Sequence, residues 1–439
     1  MGLGLQVSTF KLQSLLLLLI IICGSLSHAQ DGTITVDLDS NLGTISPYVY
    51  GANYGPLSAV PVDMFPELQA SGVTFLRFPG GRWGDINNLQ PFHIDMYMAV
   101  VDLLGATPSI HVRLENGTPE AAAELVRYTN LEQDYNVQHW YIGNEPSLFD
   151  DYTVEDLNTQ WRAIALAMLE VDPNIILIGP EPHQWNGTLE VDPRDPNGKE
   201  WVSEFLKVNG DLVDIVAVHR YPFPENMSNP NTSVADLRQN TLEWDNIIPN
   251  LRTLAEDITG RDDLLFAVTE ANSHWSSNIG GEATNDSLPN AIWWADALGK
   301  LITDGAHIVG FFDLQSSDSR GGWGMMATYH LRPSYYVYQL YQQFGETLLT
   351  ASSDIAFVSA YAAVRSDNTL TLILTNINDD AKTVTLNLGE LSADQLKSIH
   401  RLDAEHNADL LDNADMPNLM DMQVELPSLS ATLLTFTLP

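Results

Sequence analysis

Cysteine is almost missing from this sequence: Cys23 is the only one in 439 residues. If the segment that carries it is removed, no disulfide, thiolate nucleophile or cysteine-based metal site is available. Cations are scarce as well. Lys and Arg number 20 against 57 Asp and Glu, for a formal net charge of −37, and only six of the cations are lysines. Such a surface repels nucleic acid and other polyanions at low salt, which argues against a nucleic-acid partner. It reads first as a solubility device, suited to a saline habitat, and second as a sign that the substrate is neutral rather than anionic. Several chemical signatures are absent too. No Gly-rich phosphate loop follows a candidate strand, against a nucleotide-binding sheet. No Gly-x-Ser-x-Gly elbow is present, against a serine esterase. No His-Glu-x-x-His pattern suits zinc, and Asp192-Pro193-Arg194-Asp195 lacks the glycine and glutamate spacing of an EF-hand. Neither a metal nor a cofactor is called for.

The one long apolar run stands near the start. Leu15–Cys23 is unbroken, Lys11 is the only Lys, Arg, Asp or Glu among the first thirty residues, and Ser27-His28-Ala29 puts small residues at the −3 and −1 sites of a cut after Ala29. That is the pattern of a secretory signal peptide over residues 1–29, so the sequence predicts a secreted protein, extracellular or periplasmic. The run is too short for a bilayer span of about 20 residues, and no later segment is long and apolar enough, so no stable membrane insertion is expected. Gly24 after Cys23 leaves lipidation open, although Ile22 is a poor residue ahead of a lipidated cysteine.

The length suits a barrel of about 250 residues plus a smaller module. From residue 47 to 345, short apolar strand candidates alternate with helix candidates. The strands are Tyr48–Tyr54, Val73–Phe78, Ser109–Val112, His139–Ile142, Ile175–Ile178, Ile215–His219, Leu265–Thr269 and Ile308–Leu314. They are rich in β-branched and aromatic residues, as buried parallel strands are. The helices include Pro119–Asn130, Leu157–Glu170 and Leu288–Thr303. Alternation of this kind predicts an α/β fold, a (β/α)8 TIM barrel, with an open doubly wound sheet as the competing topology. Residues 346–439 instead show period-two alternation with turn signals, as in Leu370–Asn376, Thr383–Leu388 and Ala431–Leu438, which predicts a C-terminal antiparallel β-sandwich. Thr33–Leu38 alternates in the same way, so residues 30–46 are expected to supply a strand to that sandwich.

Two glutamates carry the chemistry. Glu145 follows the apolar strand Trp140-Tyr141-Ile142 within Gly143-Asn144-Glu145-Pro146, and Glu270 ends Phe266-Ala267-Val268-Thr269. In a barrel both stand at the C-terminal rim, where active sites lie. A strand-terminal Glu taken singly is as often a surface or ion-pair residue. A pair on the fourth and seventh candidate strands supplies the acid/base and the nucleophile of glycoside hydrolysis, one protonated and one ionised. Retention of configuration predicts carboxyl groups about 5–5.5 Å apart. Further rim candidates are Asn53 and Tyr54 after the first strand, His111 in the third with Glu115 beyond it, and Asp313 and Gln315 at the end of the eighth. Trp83, Trp185, Trp275 and Trp323 fall in loops expected on that face, as platforms for sugar rings, whereas Trp293 and Trp294 read as helix core.

The sequence resembles clan A glycoside hydrolases, near families 39, 44, 51 and 79, a group with α-L-arabinofuranosidases, β-xylosidases, endoglucanases and β-glucuronidases. The resemblance covers residues 47–345. It rests on Phe75-Leu76-Arg77-Phe78-Pro79-Gly80-Gly81, Asn116–Asn130 leading to Gly143-Asn144-Glu145-Pro146, Val218-His219-Arg220-Tyr221-Pro222, Thr269-Glu270, and Arg332-Pro333-Ser334-Tyr335-Tyr336 ahead of a sandwich. It implies Glu145 as acid/base and Glu270 as nucleophile. It implies further that Asn144 binds a sugar 2-hydroxyl, that Tyr221 and His219 orient or polarise Glu270, and that Arg77 lies beneath the nucleophile and keeps it ionised. The expectation is therefore a retaining hydrolase acting on plant- or algal-type polysaccharides or oligosaccharides, arabinofuranosidase-like or xylosidase-like. An endo-β-glucanase or β-glucuronidase of the same clan is the alternative. A carbohydrate-binding protein without catalysis is the rival of another class, and the intact Asn144, Glu145 and Glu270 argue against it.

Overall fold

The computed structural model describes residues 31–56, 58–224, 230–277, 281–411 and 422–439. The signal segment expected over residues 1–29, with Cys23, lies outside the described residues. Eight parallel strands close into a barrel: Gly51–Asn53, Phe75–Phe78, Thr107–Val112, His139–Ile142, Ile176–Pro180, Ile215–Arg220, Leu265–Ala271 and Ile308–Phe311. They are numbered first to eighth below. Each is followed by helical crossover, so both barrel faces are covered and the strands read as continuous apolar runs. The lower interior is plugged by Phe75, Tyr141, Ile178, Ile215, Ala217, Ala267 and Ile308, and the polar side chains described below stand above this plug.

Two strands differ from their sequence expectation by three residues at one end. The first begins at Gly51 rather than Tyr48, because Pro47–Val49 forms a 3-10 turn with Pro at its start and the Ser46 hydroxyl accepting the Tyr48 N–H. Proline has its φ set for such a turn and lacks the N–H a ladder needs. The eighth stops at Phe311, where the chain turns to pair with the loop around Met325 and Met326. The seventh strand carries a bulge. Val268 pairs with Val218 and Glu270 with His219, so Thr269 is the unmatched residue. A bulge breaks the period-two alternation and re-aims side chains. Thr269 and Glu270 both reach groups in the barrel interior as a result.

The second body is a curled sheet around its own apolar core, which includes Ile34, Val36, Leu372, Val384, Ile399, Leu434 and Phe436. Gly32–Asp37 sits within it, antiparallel to Thr347–Ser353 on one side and parallel to Lys382–Asn387 on the other. The helix Leu288–Thr303 lies between the two bodies. Its residues from Asn290 to Ile302 are all buried, Trp293 and Trp294 included, as expected of a helix covered on every side. Gly299 lets the ring of Tyr361 lie against this helix, since a Cβ there would come within 2.4 Å of it. The Tyr361 hydroxyl and Thr375 Oγ1 then donate to Asp296 at 2.8 and 2.7 Å. No helix among the described residues is long and apolar enough to cross a membrane.

Candidate active site

A cleft of about 1400 Å³ opens at the C-terminal mouth of the barrel, with Glu145 and Glu270 in its floor. One carboxylate oxygen of each, together with a ring nitrogen of His219, lies within 4.8 Å of the others. Glu145 follows the fourth strand in left-handed backbone at φ 49°. A non-glycine residue there costs of the order of 1–3 kcal/mol and persists only where its surroundings fix it. Here they do: the Glu145 N–H donates to the Glu181 carbonyl at 3.0 Å, and Asp85 accepts the Asn144 N–H at 2.7 Å.

Arg77, on the second strand and 1% exposed, is the hub beneath the pair. Its Nη1 donates to Glu270 Oε1 at 2.8 Å and to Asn53 Oδ1 at 2.9 Å, and its Nη2 to Asn144 Oδ1 at 2.8 Å and to Glu181 Oε2. The planar fork of a guanidinium makes such a four-way contact possible. Glu270 is held from three more sides. The Gly81 N–H, in a left-handed turn at φ 72° that suits glycine, donates to Oε1 at 2.9 Å, and the Tyr221 hydroxyl donates to Oε2 at 2.8 Å. The nearest His219 nitrogen stands 3.7 Å away.

His219 departs from its expected place. Its Nδ1 is 3.0 Å from Glu145 Oε1, closer than to Glu270, so its hydrogen bond goes to Glu145 rather than to Glu270. Burial alone would lower the His219 pKa, but Glu270, Glu145 and Glu181 together lift it to about 9. Burial raises Glu145 above the ordinary carboxylate range, against the opposing pull of His219. Glu145 thus keeps its proton to higher pH than a free glutamate does.

The remaining sequence candidates fall into two groups. Trp275 and Trp323 line the cleft, their indole N–H groups donating to Pro224 O at 3.1 Å and His274 O at 2.9 Å. Trp185 does not reach it, being 1% exposed, and Trp83 sits in the short helix Trp83–Ile86 against the His93 ring. A loop position in sequence says nothing about which way a large ring turns, and apolar burial won for Trp185. Asn53 is a brace, donating to Thr269 O at 2.9 Å. Tyr54 donates to Ser58 O, Gln315 to Ala59 O, and His111 stands 3.4 Å from Asp85. None of these four lines the cleft. Glu115 pairs with Arg82 at the edge. Burial pushes the Asp313 carboxyl well up, beside Arg332 and Glu270.

The fold is shared with solved glycoside hydrolases. The α-L-arabinofuranosidase from Thermotoga maritima superposes with a TM-score of 0.73 at 17% identity, covering 93% of this chain and 100% of that one. CelM2, a bifunctional glucanase-xylanase from a metagenome library, gives 0.71 at 18%, with 93% and 99% covered. A Paenibacillus polymyxa xyloglucanase from glycoside hydrolase family 44 gives 0.70 at 14%, with 93% and 100% covered. No protein-family model matches the sequence, and no curated protein sequence matches it.

Two buried carboxylates around the site escaped the sequence reading. Asp85 is fully buried and accepts the N–H groups of Leu114, Glu115 and Asn144. Burial opposes its ionisation, but His111 and these N–H groups hold its pKa below the usual value. Glu181, after the fifth strand, is fully buried in left-handed backbone at φ 58°. Burial opposes its ionisation too, yet Arg77, His219 and Thr269 hold it down to about 2. A signal for it existed: Glu181-Pro182 ends a strand just as Glu145-Pro146 does.

Proposed function

We propose that this protein is a retaining glycoside hydrolase, with Glu145 as the acid/base and Glu270 as the nucleophile. The observation that carries the reading is the pair itself. Two carboxylates face one cleft with oxygens within 4.8 Å. That lies nearer the roughly 5–5.5 Å between the carboxyls of a retaining pair than the roughly 6.5–9.5 Å that admits a water in an inverting one. The environments divide the labour. Glu145 is pushed up and keeps a proton to give, whereas Glu270 accepts from Arg77, Gly81 and Tyr221, as a carboxylate held ready to attack would. In the first step a Glu270 oxygen bonds to the anomeric carbon as the glycosidic C–O bond breaks, and the Glu145 proton passes to the leaving oxygen. In the second, Glu145 takes a proton from water, which attacks the same carbon and releases Glu270. The Asn144 side-chain NH2, expected to meet a sugar 2-hydroxyl, is buried without a partner among the described residues and does not line the cleft.

The substrate we infer is a neutral plant- or algal-type polysaccharide or oligosaccharide, cleaved in the manner of an α-L-arabinofuranosidase or β-xylosidase. Endo-glucanase action is the second reading. The cleft favours it, since about 1400 Å³ exceeds the roughly 300–1,000 Å³ of a site that encloses one small ligand. The N-terminal apolar segment supports secretion. A panel of p-nitrophenyl glycosides, with reducing-sugar release from xylan, arabinan and β-glucan, tests the proposal. Turnover with retained configuration in the first-formed product supports it, and binding without turnover on the whole panel returns the protein to the carbohydrate-binding class.

A further inference from the structure

The two-step reaction uses Glu145 and Glu270 and gives no task to Glu181, a fully buried carboxylate beside them. Its surroundings are unusual. Glu181 does not line the cleft, so it cannot touch a substrate there. It accepts from Arg77 Nη2 and, at 2.6 Å, from Thr269 Oγ1, which the bulge in the seventh strand turns toward it. Its Oε2 stands 3.7 Å from His219 Nε2, an ion-pair distance rather than a hydrogen bond. The opposite ring nitrogen of His219 faces Glu145 at 3.0 Å and Glu270 at 3.7 Å. His219 therefore lies between Glu181 and the reacting pair.

The groups around His219 can be counted element by element. Arg77 comes from the second strand, Glu145 from just past the fourth, Glu181 and His183 from just past the fifth, Tyr221 from just past its own strand and Glu270 from the seventh. Burial pulls the His183 pKa down to about 4, so it is neutral, and burial keeps Tyr221 protonated. Before reaction Glu145 holds its proton. Arg77 and a cationic His219 then balance Glu181 and Glu270. Once the glycosyl ester forms, Glu270 has lost its charge and Glu145 has gained one. The balance is again zero, with His219 still cationic. Remove the charge of Glu181 and neither state balances while the imidazolium persists.

We propose that Glu181 is a positioning residue that keeps His219 in its doubly protonated form through the whole reaction cycle. The benefit is chemical. A neutral imidazole 3.0 Å from Glu145 would be a base beside the acid, accepting the proton meant for the leaving oxygen. An imidazolium has no lone pair to accept it. It only donates, first to the acid and then, more strongly, to the carboxylate left behind. The inference rests on the assignment of Glu145 as acid/base.

The test is the titration of His219 by NMR of protein labelled at the histidine ring nitrogens, assigned with His219→Gln. In the unmodified protein His219 should titrate near 9. In Glu181→Gln it titrates at least about one pH unit lower. In the same variant kcat falls while KM changes little, and the alkaline limb of kcat moves down with the His219 titration. Glu181→Asp, which keeps the charge, restores part of both. An unchanged His219 titration in Glu181→Gln overturns the proposal, as does equal loss of activity at every pH. If Glu181→Gln does not fold, the unmodified protein still decides. There His219 stays charged at pH 7 both free and after trapping with a 2-fluoroglycosyl fluoride, and loss of its charge in either state overturns the proposal. Failure of the glycosidase reading looks different: no ester forms on Glu270 with any sugar, while the titration of His219 stands on its own.

Discussion

The backbone N–H of Glu145 donates to the backbone carbonyl of Glu181 at 3.0 Å, and both residues sit in left-handed backbone at the ends of neighbouring strands. One carboxylate faces the cleft and the other is fully buried. Both strand ends are thus held in strained conformations that point two acids toward the barrel axis, and Arg77 bridges the buried acid and Glu270 directly, with His219 3.7 Å from each.

Arg77 therefore carries the first prediction. Arg77→Ala leaves Glu181 and Glu270 without the guanidinium that bridges them, and breaking a buried pair in this way costs about 3–5 kcal/mol. Urea unfolding at pH 7 should show that loss. Arg77→Lys should fold better but lose activity by about a hundredfold, because a point charge cannot hold four acceptors in one plane. Near-normal turnover in Arg77→Lys would contradict the hub role.

The second prediction concerns alkaline stability. The His219 pKa is raised from 6.5 to about 9 in the folded protein. The stability it contributes is full below 6.5 and is lost as pH rises through about 9. Glu181, lowered from 4.5 to about 2, acts with the opposite sign: its contribution is present above 4.5 and is lost as pH falls through about 2. The urea midpoint should fall between pH 6.5 and 9, and His219→Gln should flatten that part of the curve. A slope that survives His219→Gln would assign it to other groups.

Much of this was legible in the sequence, for identifiable reasons. Parallel strands buried on both faces are continuous apolar runs, so His139–Ile142 and its seven counterparts stand out against polar helix faces. Glu145 and Glu270 are legible because a strand delivers each to the rim. The partner of a buried group is not legible in the same way. Glu181 meets Arg77 across 104 positions and Thr269 across 88, and only closure of the barrel brings them together. The bulge at Thr269 was invisible too, since it changes the direction of a side chain without changing composition. His219 faces Glu145 rather than Glu270 for a related reason: both acids lie within reach, and the rotation of one ring decides between them.

The aromatic lining yields a third prediction. Trp275 is 44% exposed and lines the cleft, whereas Trp185 is 1% exposed. Trp275→Ala should raise KM for oligosaccharides by about tenfold, equivalent to about 1.4 kcal/mol, with stability within about 0.5 kcal/mol. Trp185→Ala should instead cost about 3–5 kcal/mol of stability. Oligosaccharide titrations and urea unfolding on both variants check this, and a reversed pattern would remove Trp275 as a sugar platform.

The division of labour between the two glutamates is the central claim, and the stereochemistry of azide products tests it most directly. Glu270→Gly should abolish turnover of an aryl glycoside, and added azide should restore part of it. The small anion enters the space the nucleophile left and attacks from the face Glu270 occupied, so the glycosyl azide has inverted configuration. Glu145→Ala should behave differently. A good leaving group needs little protonation, so the glycosyl-enzyme forms and builds up. Azide then attacks from the opposite face and gives a product of retained configuration. Proton NMR of the two products reads the outcome. Inverted azide from Glu270→Gly with retained azide from Glu145→Ala is the predicted result, and the opposite pair would mean that the acid/base and the nucleophile have been exchanged.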